Sequence, residues 1–148
     1  MVHLYDRPFA ELSTSTLYAL LRLRTDVFVV EQECAYPELD GRDTEPQTRH
    51  VWLAPTDDPA DPHSYLRILT DADGSARIGR VCTAAKARGM GLSSRLMAAA
   101  LQRIGSRPCV LDAQSYLVGF YTTFGFVAAG PEYVEDGIAH VPMHRTVE

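Results

Sequence analysis

The stretch that most constrains this chain runs from Ile78 to Leu101, IGRVCTAAKARGMGLSSRLMAAAL. It opens with the β-branched and apolar residues of a strand and crosses a basic turn holding Gly89 and Gly91. It closes on a helical face made by Leu92, Leu96, Ala99 and Ala100. The start of such a helix carries backbone N–H groups that have no partner within the helix, and the positive end of the helix dipole. Glycines let an anion approach that backbone closely. The residues Arg88, Gly89, Met90, Gly91, Leu92, Ser93 and Ser94 therefore read as an anion cradle of phosphate size, with Lys86 and Arg95 adding positive charge. Two glycines ahead of a helix also describe an ordinary helix start, so the strand–turn–helix context carries the reading. The segment is not a P-loop, since no Gly-Lys-Ser/Thr follows at the required spacing. It also lacks the third glycine of a dinucleotide fingerprint.

The rest of the chain falls into short alternating elements. Val2–Asp6 reads as a strand. Ser13–Thr16 offers N-cap residues, and apolar residues at Leu17, Leu20, Leu21, Val27 and Phe28 predict a helix from about Thr16 to Gln32. The polar segment after it carries Pro37, Asp40-Gly41 and Pro46 and predicts a long loop, of the kind that is functional or mobile. Strands are predicted at His50–Ala54, Ser64–Thr70, Arg77–Thr83, Pro108–Leu111, Phe126–Ala129 and Ile138–Arg145, with a short aromatic helix over Tyr116–Phe124. The order is β-α-β-β-β-α-β-α-β-β. Consecutive strands before the central helix favour an α+β mixed sheet over a doubly wound parallel one.

Composition narrows the function classes. A chain of 148 residues suits one domain, 1–148, with a sizeable core. No apolar run has the length of a membrane span, and MVHLYDRPFAEL lacks a signal-peptide pattern, so the expected location is cytoplasmic. The three cysteines, Cys34, Cys82 and Cys109, are widely spaced and form no metal-type cluster; reduced, buried thiols and no bound metal are expected. A net charge of −5 argues against nucleic acid as a partner. A basic patch inside an acidic chain suggests an anionic cofactor. The acidic stretches Glu31–Glu45 and Glu132–Asp136 would favour a cationic substrate, although acidic loops are commonly just solvated faces.

A second motif, Phe120-Tyr121-Thr122-Thr123-Phe124-Gly125-Phe126, follows the cradle by about thirty residues. Together the two segments resemble the GCN5-related N-acetyltransferase (GNAT) superfamily. Its signature Q/R-x-x-G-x-G/A, which holds the pyrophosphate of acetyl-CoA, is matched by Arg88 and Gly91, with Ser93 at the final small position. Its later pattern N-x-x-A-x-x-x-Y-x-x-x-G-F is matched at Tyr121, Gly125 and Phe126, with Gln114 and Leu117 departing from it. The segments LYALLRLRTDVFVVEQ, CAYPELDGRD, YLRIL, LDAQ, FYTTFGF and YVEDGIAHVPMHR are similar to the ElaA-like branch.

The resemblance implies a GNAT fold, a mixed and mostly antiparallel sheet flanked by helices. It implies direct transfer of an acetyl group from acetyl-CoA to a primary amine of a small-molecule or peptide acceptor. The backbone of Val81, Cys82 and Thr83 would pair with the pantetheine arm and polarise the thioester carbonyl. The backbone N–H groups from Gly89 to Ser94 would hold the pyrophosphate, with Arg88 adding charge, and Gln114 stands where the family's asparagine meets the arm. Tyr121 matches the family's general acid. A thiol near ~8.5 and a phenol near ~10 are not grossly mismatched for that step. Read without the family pattern, Tyr121 is a packed aromatic.

An ammonium must also lose a proton before it attacks. Glu33, Asp40, Asp112, Glu135 and His140 are the candidate bases, none singled out by spacing. The resemblance puts Glu33 forward, since the region after the first helix flanks the family's acceptor site. The chemistry of an imidazole puts His140 forward, and a water chain is the alternative. His50 reads as a satisfied core histidine. Arg80 reads first as paired with a carboxylate, from the loop at Asp40-Gly41, and second as a lining residue of the acceptor pocket. Cys82 has nothing basic beside it in sequence to activate it. A homodimer is compatible with this reading. A non-catalytic acyl-CoA-binding module of the same fold is the second reading.

Overall fold

The computed structural model describes residues 1–145. The elements run β1 (Val2–Pro8), α1 (Thr14–Thr25), β2 (Arg49–Pro55), β3 (Ser64–Thr70), β4 (Ala76–Thr83), α2 (Leu92–Ile104), β5 (Cys109–Gln114), α3 (Val118–Thr122), β6 (Val127–Ala128), β7 (Tyr133–Glu135) and β8 (Ile138–Arg145). Among the described residues, eight strands form one sheet in the order β1-β2-β3-β4-β5-β8-β6, with β7 pairing on β8. Every ladder is antiparallel except β4 with β5.

Strand alternation divides the core into two faces. On β2, Val51 and Leu53 pack with α2, whereas Trp52 and Ala54 pack with α1. Ser13 caps α1 by accepting from the Thr16 N–H at 3.1 Å. The buried positions of α1 are Thr16, Leu20, Leu23 and Arg24, so the inner face carries a charged residue. Helix α2 buries Leu92, Leu96, Met97, Ala100 and Ile104, spacings of three and four that make one apolar stripe. Each such large side chain contributes at most about 1.5–3 kcal/mol by leaving water.

Three expectations change in detail. The first helix does not run unbroken to Gln32: after Thr25 it widens into a π-type turn over Asp26–Glu31, where the Gln32 N–H reaches the Val27 carbonyl at 3.1 Å. The aromatic segment is a single 3₁₀ turn, Ser115–Leu117, followed by the five-residue α3. An eighth strand, β7, was not expected. Asp136 and Gly137 adopt φ of 52° and 76°, the left-handed pair a two-residue hairpin requires. Asp-Gly in YVEDGI was the sequence signal for it.

Two irregularities create the site. The parallel strands β4 and β5 pair only at Ala76–Cys109 and Arg77–Val110. Beyond those pairs they diverge, leaving a gap in the middle of the sheet. In addition, Tyr65 lies opposite Cys82 while Arg67 lies opposite Gly79, so β4 holds one more residue than β3 across that interval. This is a β-bulge, and Arg80 within it has φ of 54°. The extra residue inverts the strand: Ile78 faces the α2 cluster, but Cys82, an even number of residues on, faces the α1 cluster.

Candidate active site

The gap opens into a cleft of about 1020 Å³. Its lining joins β4 from Arg77 to Thr83, the turn before α2, the π-type turn, Tyr121 on α3, and Gln114 and His140 on β5 and β8.

At one end stands the start of α2. Gly89 and Gly91 have φ of 80° and 71°, which only glycine adopts without strain, and an added Cβ at either would meet nothing within 4 Å. No side chain caps the helix, and no acidic residue sits in its first turn. Its leading N–H groups and its dipole are thus directed at the cleft, which suits a bound anion. Gly89, Gly91, Leu92, Ser93 and Ser94 line the cleft. Met90 does not: it is 64% exposed at the tip of the turn between the two left-handed glycines. Lys86 and Arg95 also lie outside the lining, and Lys86 pairs with Asp61 at 2.8 Å. Arg88 does line the cleft, but its guanidinium is engaged. Both terminal nitrogens donate to Glu31 at 2.6 Å, and its Nε donates to the Thr83 carbonyl at 3.1 Å. Those bonds hold the Glu31 carboxyl below the usual carboxylate range.

Ser93 has a structural use. Its hydroxyl lies 3.0 Å from that of Thr83, which lies 2.8 Å from that of Ser64, which donates to the Cys82 carbonyl at 3.0 Å. This chain of hydroxyls ties the first turn of α2 to the bulged end of β4.

Tyr121 lines the cleft from the α2 face. Phe120 and Phe126 hold its ring edge-to-face, at 5.1 and 6.4 Å between centroids. Its hydroxyl makes no hydrogen bond among the described residues. Burial, with a smaller contribution from Tyr116, pushes that hydroxyl up to about 12, so it keeps its proton at neutral pH. Cys82 also lines the cleft, but burial raises its thiol to about 12, and it is not an activated nucleophile.

Comparison with known proteins bears on this arrangement directly. Residues 28–147 match the model of the acetyltransferase (GNAT) domain. The chain belongs to this family. It is 50% identical over 138 residues to a UPF0039 protein of Mycobacterium tuberculosis, covering 91% of this chain and 87% of that protein. It is 39% identical to the protein ElaA of Escherichia coli over 153 residues, covering 99% and 98%. The crystal structure of E. coli ElaA superimposes with a TM-score of 0.90 at 38% identity, over 98% of this chain and 99% of that one. An acyl-CoA N-acyltransferase from Pseudomonas aeruginosa superimposes with a TM-score of 0.91 at 40% identity, over 99% and 100%. The expected GNAT fold and the ElaA-like resemblance are both borne out.

The other end of this GNAT cleft is built by the loop between α1 and β2. The loop is anchored through buried charge. Arg24, fully buried on α1, donates to Glu38 at 2.6 Å and to Asp43 at 2.7 and 3.1 Å. Arg67 on β3 bridges Asp40 at 2.5 Å and Asp43 at 3.1 Å. Arg80 takes Glu38 at 2.9 Å and lies 3.5 Å from Asp40, so Glu38 is its nearer carboxylate. Tyr36 donates to Glu38 and carries the Arg80 guanidinium over its ring at 5.5 Å. His50, 1% exposed, lies 2.7 Å from the Tyr65 hydroxyl and 3.0 Å from the Asp43 carbonyl, a satisfied core histidine.

Of the candidate bases, Asp40 belongs to this network and the others stand apart from it. Burial pushes the Asp40 carboxyl up, but hydrogen bonds from Arg67 and the Arg42 backbone, with the Arg67 and Arg80 charges, hold it well below the usual range. Asp112 is paired with Arg77 at 2.8 Å. Glu33 is exposed and stands outside the cleft lining, just beyond the π-type turn. Glu135 and His140 both line the cleft. Gln114, in the place of the family's asparagine, donates to Gln32 at 3.2 Å.

Arg24, Glu38 and Asp43 were not singled out in the sequence. The usable signal was helical spacing: Thr16, Leu20, Leu23, Arg24 and Val27 share the buried side of the first helix, and a charge there demands partners. Glu31 was missed because its partner Arg88 lies 57 residues away.

Proposed function

We propose that this protein is a cytoplasmic N-acetyltransferase that moves an acetyl group from acetyl-CoA directly to a primary amine of a small-molecule or peptide acceptor, within a single domain. The observation that carries this reading is the convergence, on one gap in the sheet, of an uncapped helix start with left-handed glycines and a buried, protonated tyrosine.

Each demand of the reaction has a group in place. The N–H groups at the start of α2 take the pyrophosphate, and Arg88 adds charge once it exchanges Glu31 for phosphate oxygens. The β4 edge from Val81 to Thr83 borders the gap where β5 no longer pairs, so it is free to bond an extended pantetheine arm and to polarise the carbonyl. Acetyl-CoA supplies the activated acyl carbon and a thiolate leaving group. Tyr121 donates its hydrogen bond to the sulfur as charge develops there. With the phenol raised to about 12 and a thiol near ~8.5, leaving the tyrosine ionised would cost on the order of 5 kcal/mol. The proton that Tyr121 passes on must therefore be replaced, and the attacking nitrogen supplies it.

The test is purified protein with acetyl-CoA and a panel of primary amines, following thiol release. Turnover that falls roughly 100-fold in Tyr121→Phe, with coenzyme affinity kept, is the expected result. Coenzyme binding without thiol release across the panel supports an acyl-CoA-binding module instead.

A further inference from the structure

We infer that His140 is the general base of this reaction, acting through its Nε2. The inference rests on the acyl-transfer reading above and concerns which group takes the proton of the incoming ammonium.

Position comes first. On β8, His140 stands opposite Gln114 of β5 and Tyr133 of β7. Along β5, Leu111 and Ala113 belong to the α2 cluster, so Gln114, and with it His140, lies on the opposite face. Tyr121 belongs to the α2 cluster. The same cleft is therefore reached by Tyr121 from one side of the sheet and by His140 from the other. An acyl carbon lying in the gap would have the hydroxyl beside its departing sulfur and the imidazole on the side left for the amine.

The ring is also committed to one tautomer. Its Nδ1 lies 2.8 Å from the carbonyl oxygen of Ile138. A carbonyl only accepts, so Nδ1 carries the proton, and in the neutral ring Nε2 keeps a free lone pair. Tyr133 stacks on the imidazole at 5.6 Å between centroids with planes 20° apart, which limits rotation. This combination of a fixed donor nitrogen, a free acceptor nitrogen and a supported ring is what a histidine base requires.

The other carboxylates that line the cleft are paired with arginine or lie on an exposed hairpin. Asp40 is held by Arg67 and Asp112 by Arg77, and Glu31 lies beside Arg88 at the start of α2, the end assigned to the pyrophosphate. Glu135 and Asp136, which also line the cleft, lie exposed on the hairpin next to His140. The step balances as follows. Nε2 takes one proton from the ammonium, and the freed nitrogen pair attacks the carbonyl carbon. The C–N bond forms, the C–S bond breaks, and the sulfur leaves with the bonding pair. Tyr121 hands its proton to the sulfur and regains one from the new amide nitrogen. The imidazolium returns its proton to water, so amide, thiol and one proton are the products.

The experiment compares wild type, His140→Gln and His140→Ala with acetyl-CoA and the amine panel. Alongside it, coenzyme affinity is measured calorimetrically and the imidazole tautomer by two-bond ¹⁵N–¹H correlation spectra of the free protein. The expected outcome is a loss of roughly 100-fold in kcat/KM with coenzyme affinity within twofold, and partial recovery of His140→Ala by added imidazole. The spectra should show Nδ1 protonated and Nε2 bare in the neutral ring. Wild-type turnover with His140→Gln within threefold of it overturns this assignment alone, as does a neutral ring protonated at Nε2. A wild type that releases no thiol with any amine overturns the acyl-transfer reading itself, and this assignment with it.

Discussion

Two groups of arginines flank the same cleft, and they do opposite things. Arg24 and Arg67 are 1% and 4% exposed at the side chain, and each bonds carboxylates of the loop between α1 and β2. Arg88 is 43% exposed and holds one carboxylate, Glu31, itself 49% exposed. The buried group has no alternative partner, because water is excluded and every charge must be answered locally. The exposed pair can be given up, since water or another anion can replace either member at little cost. Similar short distances therefore describe a strut in one case and an exchangeable contact in the other. Burial, rather than bond length, separates them.

Removing the centre of the strut tests this most severely. Arg24→Met leaves Glu38 and Asp43 short of a partner in the interior, and it should cost roughly 3–5 kcal/mol in urea unfolding at neutral pH. A cost no greater than that of removing Glu31 would collapse the distinction.

Acidification is the next test. The folded-state pKa values of Asp40 and Asp43 are depressed: burial raises them, but hydrogen bonds and charge from Arg67 and Arg24 outweigh it. Below about pH 4, where free carboxylates protonate, the unfolded chain binds more protons than the folded one. Their stabilisation is thus present above that range and lost as pH falls through it toward the folded values. The urea midpoint should drop between pH 5 and pH 3, and the drop should shrink in Asp43→Asn. An equal drop in the variant would place the acid sensitivity elsewhere.

The smallest effect is expected at the exposed pair. Glu31→Gln should leave the unfolding midpoint unchanged and tighten coenzyme binding by a factor of roughly two to five, because Arg88 no longer has to release a carboxylate first. Weaker binding in this variant would mean that Glu31 orients Arg88 for the ligand rather than competing with it.

Much of this was legible along the chain. The helix start at Gly91, the tyrosine at Tyr121 and the succession of strands rest on local rules: spacing, turn chemistry and the freedom of glycine. The hairpin at Asp136-Gly137 rests on the same local turn chemistry. What could not be read is whatever depends on registers between distant segments. The bulge that turns Cys82 to the α1 face, the divergence of β4 from β5, and the meeting of Arg88 with Glu31 all depend on pairings across the sheet or the cleft.

The sequence by itself determined that a glycine-flanked helix start and a family-like tyrosine exist in this chain. Only the tertiary structure decided that Tyr121 and His140 approach one gap from opposite faces, and that Arg24, rather than a leucine, anchors the first helix. The physical reason is range. Helix starts and turns are governed by neighbours a few residues away, whereas the environment of a charge or an imidazole is fixed by whichever strands the sheet brings alongside it.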